Sequence, residues 1–364
     1  MLSCKEKSEK TLSGLYKSNF EQVVNGDSVG LFVLKNASGV EVCITNFGGR
    51  IVSVMVPDKY GKMQDVVLGF DSLADYMKYD NDFGASIGRY ANRINQGRIV
   101  IDDDTIQLPQ NNFGHCLHGG PKGWQYQVYK NVKQTGDSVI EMTRFSPDGD
   151  MNFPGAVIAK VTFTLTMDNA IKIDFEATTD KKTVINMCNH SYFNLSGDAT
   201  KPITDHMLFV NADSFTPVDS TFMTTGEIVL VKGTPMDFTT PKAIGVDIDK
   251  YEYVQLKNGN GYDHNWVLNT AGDLTKQAVK LTSPISGISL EVFTNEPGIQ
   301  VYTGNFLDGK TKCKAGFVYN KRAAVCLESQ HYPDSPNKPG WPSVILEPGN
   351  VYKSTCIYKF SVNK

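Results

Sequence analysis

The chain has 364 residues, 40% hydrophobic and 21% charged, and a net charge of −3 at pH 7. That length can bury a large apolar core, and with no basic block in it nucleic acid is excluded as the expected partner. No run of about 18 apolar residues occurs, so no transmembrane segment is expected.

The chain opens on Met1-Leu2-Ser3-Cys4, followed by the charged run Lys5-Glu6-Lys7-Ser8-Glu9-Lys10. Leu-Ser-Cys resembles the end of a bacterial lipoprotein signal, in which the cysteine is acylated, although no apolar stretch precedes it. The expectation is a loose tether over residues 1–12 and one folded domain over residues 13–364. A periplasmic or cell-envelope location follows if Cys4 carries lipid, and a cytoplasmic one is the alternative. The other six cysteines are scattered and form no Cys-x-x-Cys, which argues against a disulfide framework or a structural zinc cluster.

From there the pattern is strand, turn, strand. Residues 30–34 and 40–44 flank a hairpin-like turn. Residues 51–56 and 66–70 are apolar runs separated by Pro57-Asp58-Lys59-Tyr60-Gly61. Residues 72–77 predict one short helix, capped by Asp71 or Ser72. Residues 99–101 and 105–108 flank three aspartates. Residues 157–166 and 170–177 alternate apolar and polar side chains around Asp168-Asn169, the clearest hairpin in the chain. An apolar run over 183–188 leads into Asn189-His190-Ser191-Tyr192-Phe193-Asn194-Leu195. Residues 287–293, 298–302, 323–328 and 352–360 continue the rhythm. No linker or internal repeat divides the chain. The fold class expected is all-β, a single large antiparallel β-sandwich with few short helices and long loops on one face.

Polar groups at the end of an apolar run call for a reason, and His190 with its neighbours offers one as a histidine acid in a sugar site. The six histidines fall mostly in polar, glycine-containing loops, where chemistry concentrates. Arg89-Tyr90-Ala91-Asn92-Arg93 supplies planar donors suited to sugar diols. Glu328 closes an apolar strand. Partial burial there would raise its pKa and make it a competent base near neutral pH. Residues 330–337 read as a loop able to cover a cleft.

Together these segments resemble the aldose 1-epimerases, the galactose mutarotases, over nearly the whole chain from about Gly14. The resemblance is carried, in the family's order, by Asn46-Phe47-Gly48-Gly49, Gly88-Arg89-Tyr90-Ala91-Asn92-Arg93-Ile94, Leu117-His118-Gly119-Gly120, Asn189-His190-Ser191-Tyr192-Phe193-Asn194-Leu195, Asp263-His264-Asn265, Tyr302-Thr303-Gly304-Asn305 and Leu327-Glu328-Ser329-Gln330. It implies a galactose mutarotase-like supersandwich and an isomerase interconverting α and β anomers of free hexoses such as galactose and glucose. It implies His190 as general acid and Glu328 as general base. It implies Asn92, Arg93, His118 and Asp263 as sugar-binding residues, with Glu296 at a position where the family often has Gln. No cofactor or metal is implied, and the protein is expected to be a monomer or homodimer. The two catalytic side chains are expected to face each other across a bound pyranose, with Glu328 keeping His190 protonated.

Four other readings compete. A glycoside hydrolase or lyase would use Glu328 and Asp263 as paired carboxylates. A non-catalytic sugar-binding module needs no acid–base pair. A metalloprotein would draw on His115, Cys116 and His118. A hexose-phosphate epimerase would need clustered cations, for which Arg89, Arg93 and Arg322 are available.

Overall fold

Strict alternation builds the largest sheet. In Val157–Leu165 every second side chain is buried, and Ala170–Thr179 runs antiparallel beside it with Val161 opposite Phe175. A computed structural model describes residues 10–362, so the Cys4 segment lies outside the described residues. The two strands belong to a nine-stranded sheet. Its order is Lys130–Thr135, Val139–Ser146, Val157–Leu165, Ala170–Thr179, Tyr352–Val362, Ile288–Thr294, Val279–Thr282, Met207–Val210, Lys242–Ala243.

A six-stranded sheet runs Tyr192–Phe193, Val325–Gln330, Gly298–Tyr302, Asp263–Val267, Ser214–Thr216, Val229–Leu230. A four-stranded sheet, Leu31–Lys35 to Met63–Asp65, completes the main layers. Neighbouring strands within these three sheets pair antiparallel. Val161, Phe163, Ile173 and Phe175 of the large sheet share one core with Ile299, Val301, Val325, Leu327 and Trp266 of the six-stranded sheet. At ~1.5–3 kcal/mol for each fully buried aliphatic or aromatic side chain, this layer holds the six-stranded sheet by one face. Its other face is left for polar side chains.

Two short α-helices occur among the described residues, Leu73–Lys78 and Val254–Asn258. Ser72 caps the first, accepting the Asp75 N–H at 3.2 Å; the second has no sequence signal comparable to that cap. No helix among the described residues is long and apolar enough to cross a membrane.

Two strand readings change. The run over 183–188 is not one strand: Thr183–Val184 pairs with Ile345–Leu346, and Cys188–His190 pairs with Ala85–Ile87. Between them the Asn186 N–H donates to the Arg89 carbonyl at 3.1 Å, which breaks the ladder. Glu328 does not close its strand but sits within Val325–Gln330, buried from end to end.

Candidate active site

Register places the polar groups. Glu328 lies opposite Gln300, Tyr302 opposite both Cys326 and Asp263, and Tyr192 opposite Cys326. Directly opposed residues share a face, so Glu328, Gln300, Asp263, Tyr302 and Tyr192 all point away from the core layer of Leu327, Val301 and Trp266. Over this face opens a cavity of about 660 Å³, and Asn92, Arg93, His118, His190, Asp263 and Glu328 all line it.

His190 comes from the neighbouring strand Cys188–His190. Its carbonyl accepts the Gly84 N–H at 3.0 Å. Gly84 sits at φ +68, where a Cβ would lie 1.9 Å from the Ile51 carbonyl oxygen, so only glycine fits. The imidazole stacks on Tyr192 (centroids 5.1 Å, 26°) and meets His118 edge-on at 5.2 Å. Its Nε2 stands 3.4 Å from Glu328 Oε1. Cys188 Sγ donates to Glu328 Oε2 at 3.7 Å.

Burial acts on both members of this pair. It pushes the His190 pKa below its ordinary value and the Glu328 pKa well above the usual carboxylate range, with Asp263 and Asp82 adding to the Glu328 shift. Each shift favours the uncharged form. This corrects the expectation that Glu328 holds His190 protonated: taking both groups out of water penalises the ion pair. The side-by-side placement also replaces the expected arrangement across a sugar ring.

His118 is fixed by the loop it faces. Its Nδ1 accepts the Asn92 backbone N–H at 3.1 Å, and the His118 backbone N–H donates to the Asn92 carbonyl at 3.1 Å. An accepting Nδ1 puts the proton on Nε2, and burial with the nearby His190 and Arg93 holds the ring well below its ordinary pKa. His118 is therefore a neutral donor. Asn92 adopts φ +61, a conformation asparagine tolerates, and its Oδ1 accepts the Arg93 N–H at 2.8 Å. Arg93 Nε donates to Asn112 Oδ1 at 3.1 Å, and its guanidinium lies 5.0 Å from the Phe222 ring centroid.

Asp263 is anchored by a residue that the sequence reading missed. Gln300 Nε2 donates to Asp263 Oδ1 at 2.6 Å. The signal was present: Gln300 is the polar residue between Ile299 and Val301, on the face opposite both. Glu296, expected at the sugar, is elsewhere. Its carboxylate is taken by His331 Nδ1 at 2.6 Å and by the Tyr352 hydroxyl at 3.4 Å, and it does not line the cavity.

Asp82 was also missed. It lines the cavity beside the two histidines, and its Oδ1 is buried without a hydrogen-bond partner. The fully buried Arg50 clamps its segment, donating to Asn81 Oδ1 at 2.9 Å and the Phe83 carbonyl at 2.8 Å. No motif marks Asp82, because only the long-range Arg50 contact brings it inward.

The other histidines are structural. His115 accepts the Gln96 N–H and pairs with Thr221, His206 accepts the Leu195 N–H, and His264 accepts the Asp263 N–H. Cys116 is buried in an apolar cluster, its thiol pushed up to about 12 by burial, so His115, Cys116 and His118 build no common site. Two sets of donor atoms do converge within 4.8 Å, Asp82–His118–His190 and His190–Cys326–Glu328. Both include His190, and the second includes Glu328 as well.

The charge of the cavity bears on phosphate. Asp80, Asp82, Asp263 and Glu328 line it against Arg93. Arg89 is turned away onto the Pro154 carbonyl and Ser146 Oγ, both at 2.7 Å, and Arg322 onto Asp249. A phosphoryl group would meet carboxylates there. Residues 331–337 do not line the cavity either; Asp334 Oδ1 accepts the Asn95 N–H at 2.8 Å instead.

A family model described as aldose 1-epimerase matches residues 30–359. The galactose mutarotase of Rattus norvegicus is 39% identical over 342 residues, covering 93% of this chain and 95% of that protein. The aldose 1-epimerase of Escherichia coli (strain K12) is 36% identical over 338 residues, covering 92% and 96%. The crystal structure of a GalM/aldose epimerase homologue from C. elegans superposes with a TM-score of 0.83 at 31% identity, over 92% of this chain and 100% of that one.

Proposed function

The chain belongs to the aldose 1-epimerase family and is an isomerase of aldose anomers; from that premise we propose that His190 and Glu328 move the protons, acting on free hexoses such as galactose and glucose. The observation that carries this reading is the 3.4 Å approach of His190 Nε2 to Glu328 Oε1 at the cavity wall. Ring opening needs one proton delivered to the ring oxygen O5 and one removed from the O1 hydroxyl. Both oxygens are bonded to C1, so an acid and a base standing side by side can reach them together.

The proton balance fits the pair. The pair shares one proton; in the reacting form, the minor one because burial favours neutral imidazole beside carboxylic acid, the proton sits on His190, which gives it to O5 as the C1–O5 bond breaks. Glu328 takes the O1 proton, and the sugar becomes the open aldehyde. This leaves a neutral imidazole beside a carboxylic acid, the form that burial favours at both residues. Rotation about C1–C2 turns the other face of the carbonyl inward. Closure then runs the transfers backward and restores the starting proton count. A positioned acid or base contributes typically about 10²–10⁴-fold.

The remaining groups orient the sugar. His118 donates through Nε2, Asp263 accepts from hydroxyls, and Asn92 and Arg93 donate. Asp82 offers a further acceptor on the histidine side. The excess of carboxylates over cations favours free over phosphorylated hexoses.

The test is polarimetry on fresh α-D-galactose. His190→Ala and Glu328→Ala should each lose most of the activity while keeping the far-ultraviolet circular dichroism of the parent. Parent-like rates in both variants would end the assignment.

A further inference from the structure

Two carboxylates reach His190, and only Glu328 exchanges protons with the sugar. Glu328 meets the imidazole in a set with Cys326. Asp82 meets it in a separate set with His118, a carboxylate oxygen and two ring nitrogens lying within 4.8 Å of one another. The two sets have His190 alone in common, so Glu328 falls outside the reach of Asp82 that includes His190. Asp82 Oδ1 and His190 Nδ1 are both buried without a hydrogen-bond partner.

Long-range hydrogen bonds fix Asp82 in place. Arg50 donates to the carbonyls on either side of it, Asn81 at 3.2 Å and Phe83 at 2.8 Å, and to the Gln125 carbonyl at 2.7 Å. The guanidinium thus grips the backbone around Asp82. The Ala85 N–H closes a turn onto the Asp82 carbonyl at 3.0 Å, and the Gly84 N–H donates to the His190 carbonyl at 3.0 Å. Ala85 itself pairs with His190 in the strand ladder. The loop that carries this carboxylate is therefore bonded to the strand that carries the imidazole.

Charge then bears on where the shared proton sits. Tyr192, Tyr302 and the Cys326 thiol also face the ring, and burial opposes ionisation of all three. His118 is neutral, and the positive charge of Arg50 works against a second one on His190. Burial lowers the His190 pKa, and Asp82 is the foremost charge that raises it. On Glu328, Asp82 acts behind burial and Asp263. A negative charge nearer the imidazole than the partner carboxylate attracts imidazolium more than it repels carboxylate, because the interaction falls off with distance.

We propose that Asp82 is the positioning residue of the acid: its carboxylate draws the proton shared by the pair from Glu328 onto His190 and so populates the form that reacts. The inference rests on the epimerase reading. One proton moves, from Glu328 Oε1 to His190 Nε2; Asp82 gains and loses none.

The test is Asp82→Asn, which removes the charge and keeps an oxygen acceptor in the same place. With galactose, kcat should fall on the order of ten-fold while KM stays within about two-fold. Both limbs of the kcat/KM profile should move to lower pH by about one unit, because a charge that favoured protonation is gone. Asp82→Glu, which restores the charge, should return the limbs to within about half a unit of the parent. Unmoved limbs, a loss confined to KM, or an Asp82→Glu no better than Asp82→Asn would overturn the proposal. Imidazole NMR of the free enzyme, with the His190 signal assigned by its loss in His190→Gln, reads the same coupling without turnover. The His190 titration should shift to lower pH in Asp82→Asn. If the parent failed to speed mutarotation, the epimerase reading would fall, and this titration would still decide the coupling: a shift upholds it, and superimposable titrations overturn it.

Discussion

Replacing Gln300 by alanine removes the side-chain donor that Asp263 has at 2.6 Å. Asp263 is buried, and burial raises its pKa while Arg93 and Gln300 lower it. A hydrogen bond to a charged group is worth about 1.5–3 kcal/mol, and one pKa unit is about 1.36 kcal/mol. Gln300→Ala should therefore raise the Asp263 pKa by a further ~1–2 units. Two readouts follow. If Asp263 holds sugar hydroxyls as proposed, protonation turns one of its oxygens from acceptor to donor and weakens that contact, so the acid-side rise in KM should begin about 1–2 pH units higher than in the parent. The folded chain already holds this proton more tightly than the unfolded chain, so the contribution of Asp263 to stability falls as pH rises through its folded pKa. The variant should accordingly lose about 1.5–3 kcal/mol more at neutral pH in urea unfolding. Polarimetric KM values across the acid range, with urea titrations, measure both. Superimposable KM profiles together with unchanged neutral stability would refute the view that Gln300 supports the sugar-binding carboxylate.

The His190 pKa is lowered by burial, so the acid limb of kcat/KM should lie below the ordinary histidine value of about 6.5; a limb at or above it contradicts the buried-pair description. His264 is buried and pushed down to about 3. The unfolded chain therefore binds its proton first, and stability is lost as pH falls from about 6.5 toward that value. His264→Asn, which keeps an acceptor for the Asp263 N–H, should remove about one proton, ~1.36 kcal/mol per pH unit, from the acid dependence of urea unfolding. An unchanged slope would show that His264 is not held neutral. Gly119 sits at φ +78, and a Cβ there would lie 2.2 Å from the Gly88 carbonyl oxygen. Gly119→Ala should cost more than about 2 kcal/mol and displace His118, whereas Gly39→Ala, at φ +87 with nothing within 4 Å, should cost only about 1 kcal/mol. Equal thermal shifts in the two variants would refute the steric argument.

Much of the layer structure was legible because it rests on period-two burial. The alternation in 157–166 and 170–177 predicts both the hairpin and the face each strand turns to the core, and the structure keeps both. Where polar groups break into an apolar run, the sequence also marks the site: His190 and Glu328 arrive in one cavity from separate sheets. What failed depended on long-range partners. Glu296 was expected at the sugar because the family resemblance places a contact at that position, where a Gln is frequent, but His331 and Tyr352, distant in sequence, claim its carboxylate. Arg89 shares a motif with Asn92 and Arg93, yet its buried guanidinium is turned onto backbone carbonyls and Ser146. Asp82 carried no motif, since its place depends on Arg50, more than thirty residues away. The proton state of the pair could not be read from residue types, because burial outweighs their ordinary pKa values.

Anomer exchange by magnetisation-transfer NMR on galactose, in His190→Gln, Glu328→Gln and the double variant, tests the shared-proton pair most directly. If the two side chains work as one unit, each single change costs about 10²-fold or more and the double variant is no slower than the worse single. Losses that multiply in the double variant, or a single variant that exchanges at the parent rate, would contradict the pair as the catalytic centre.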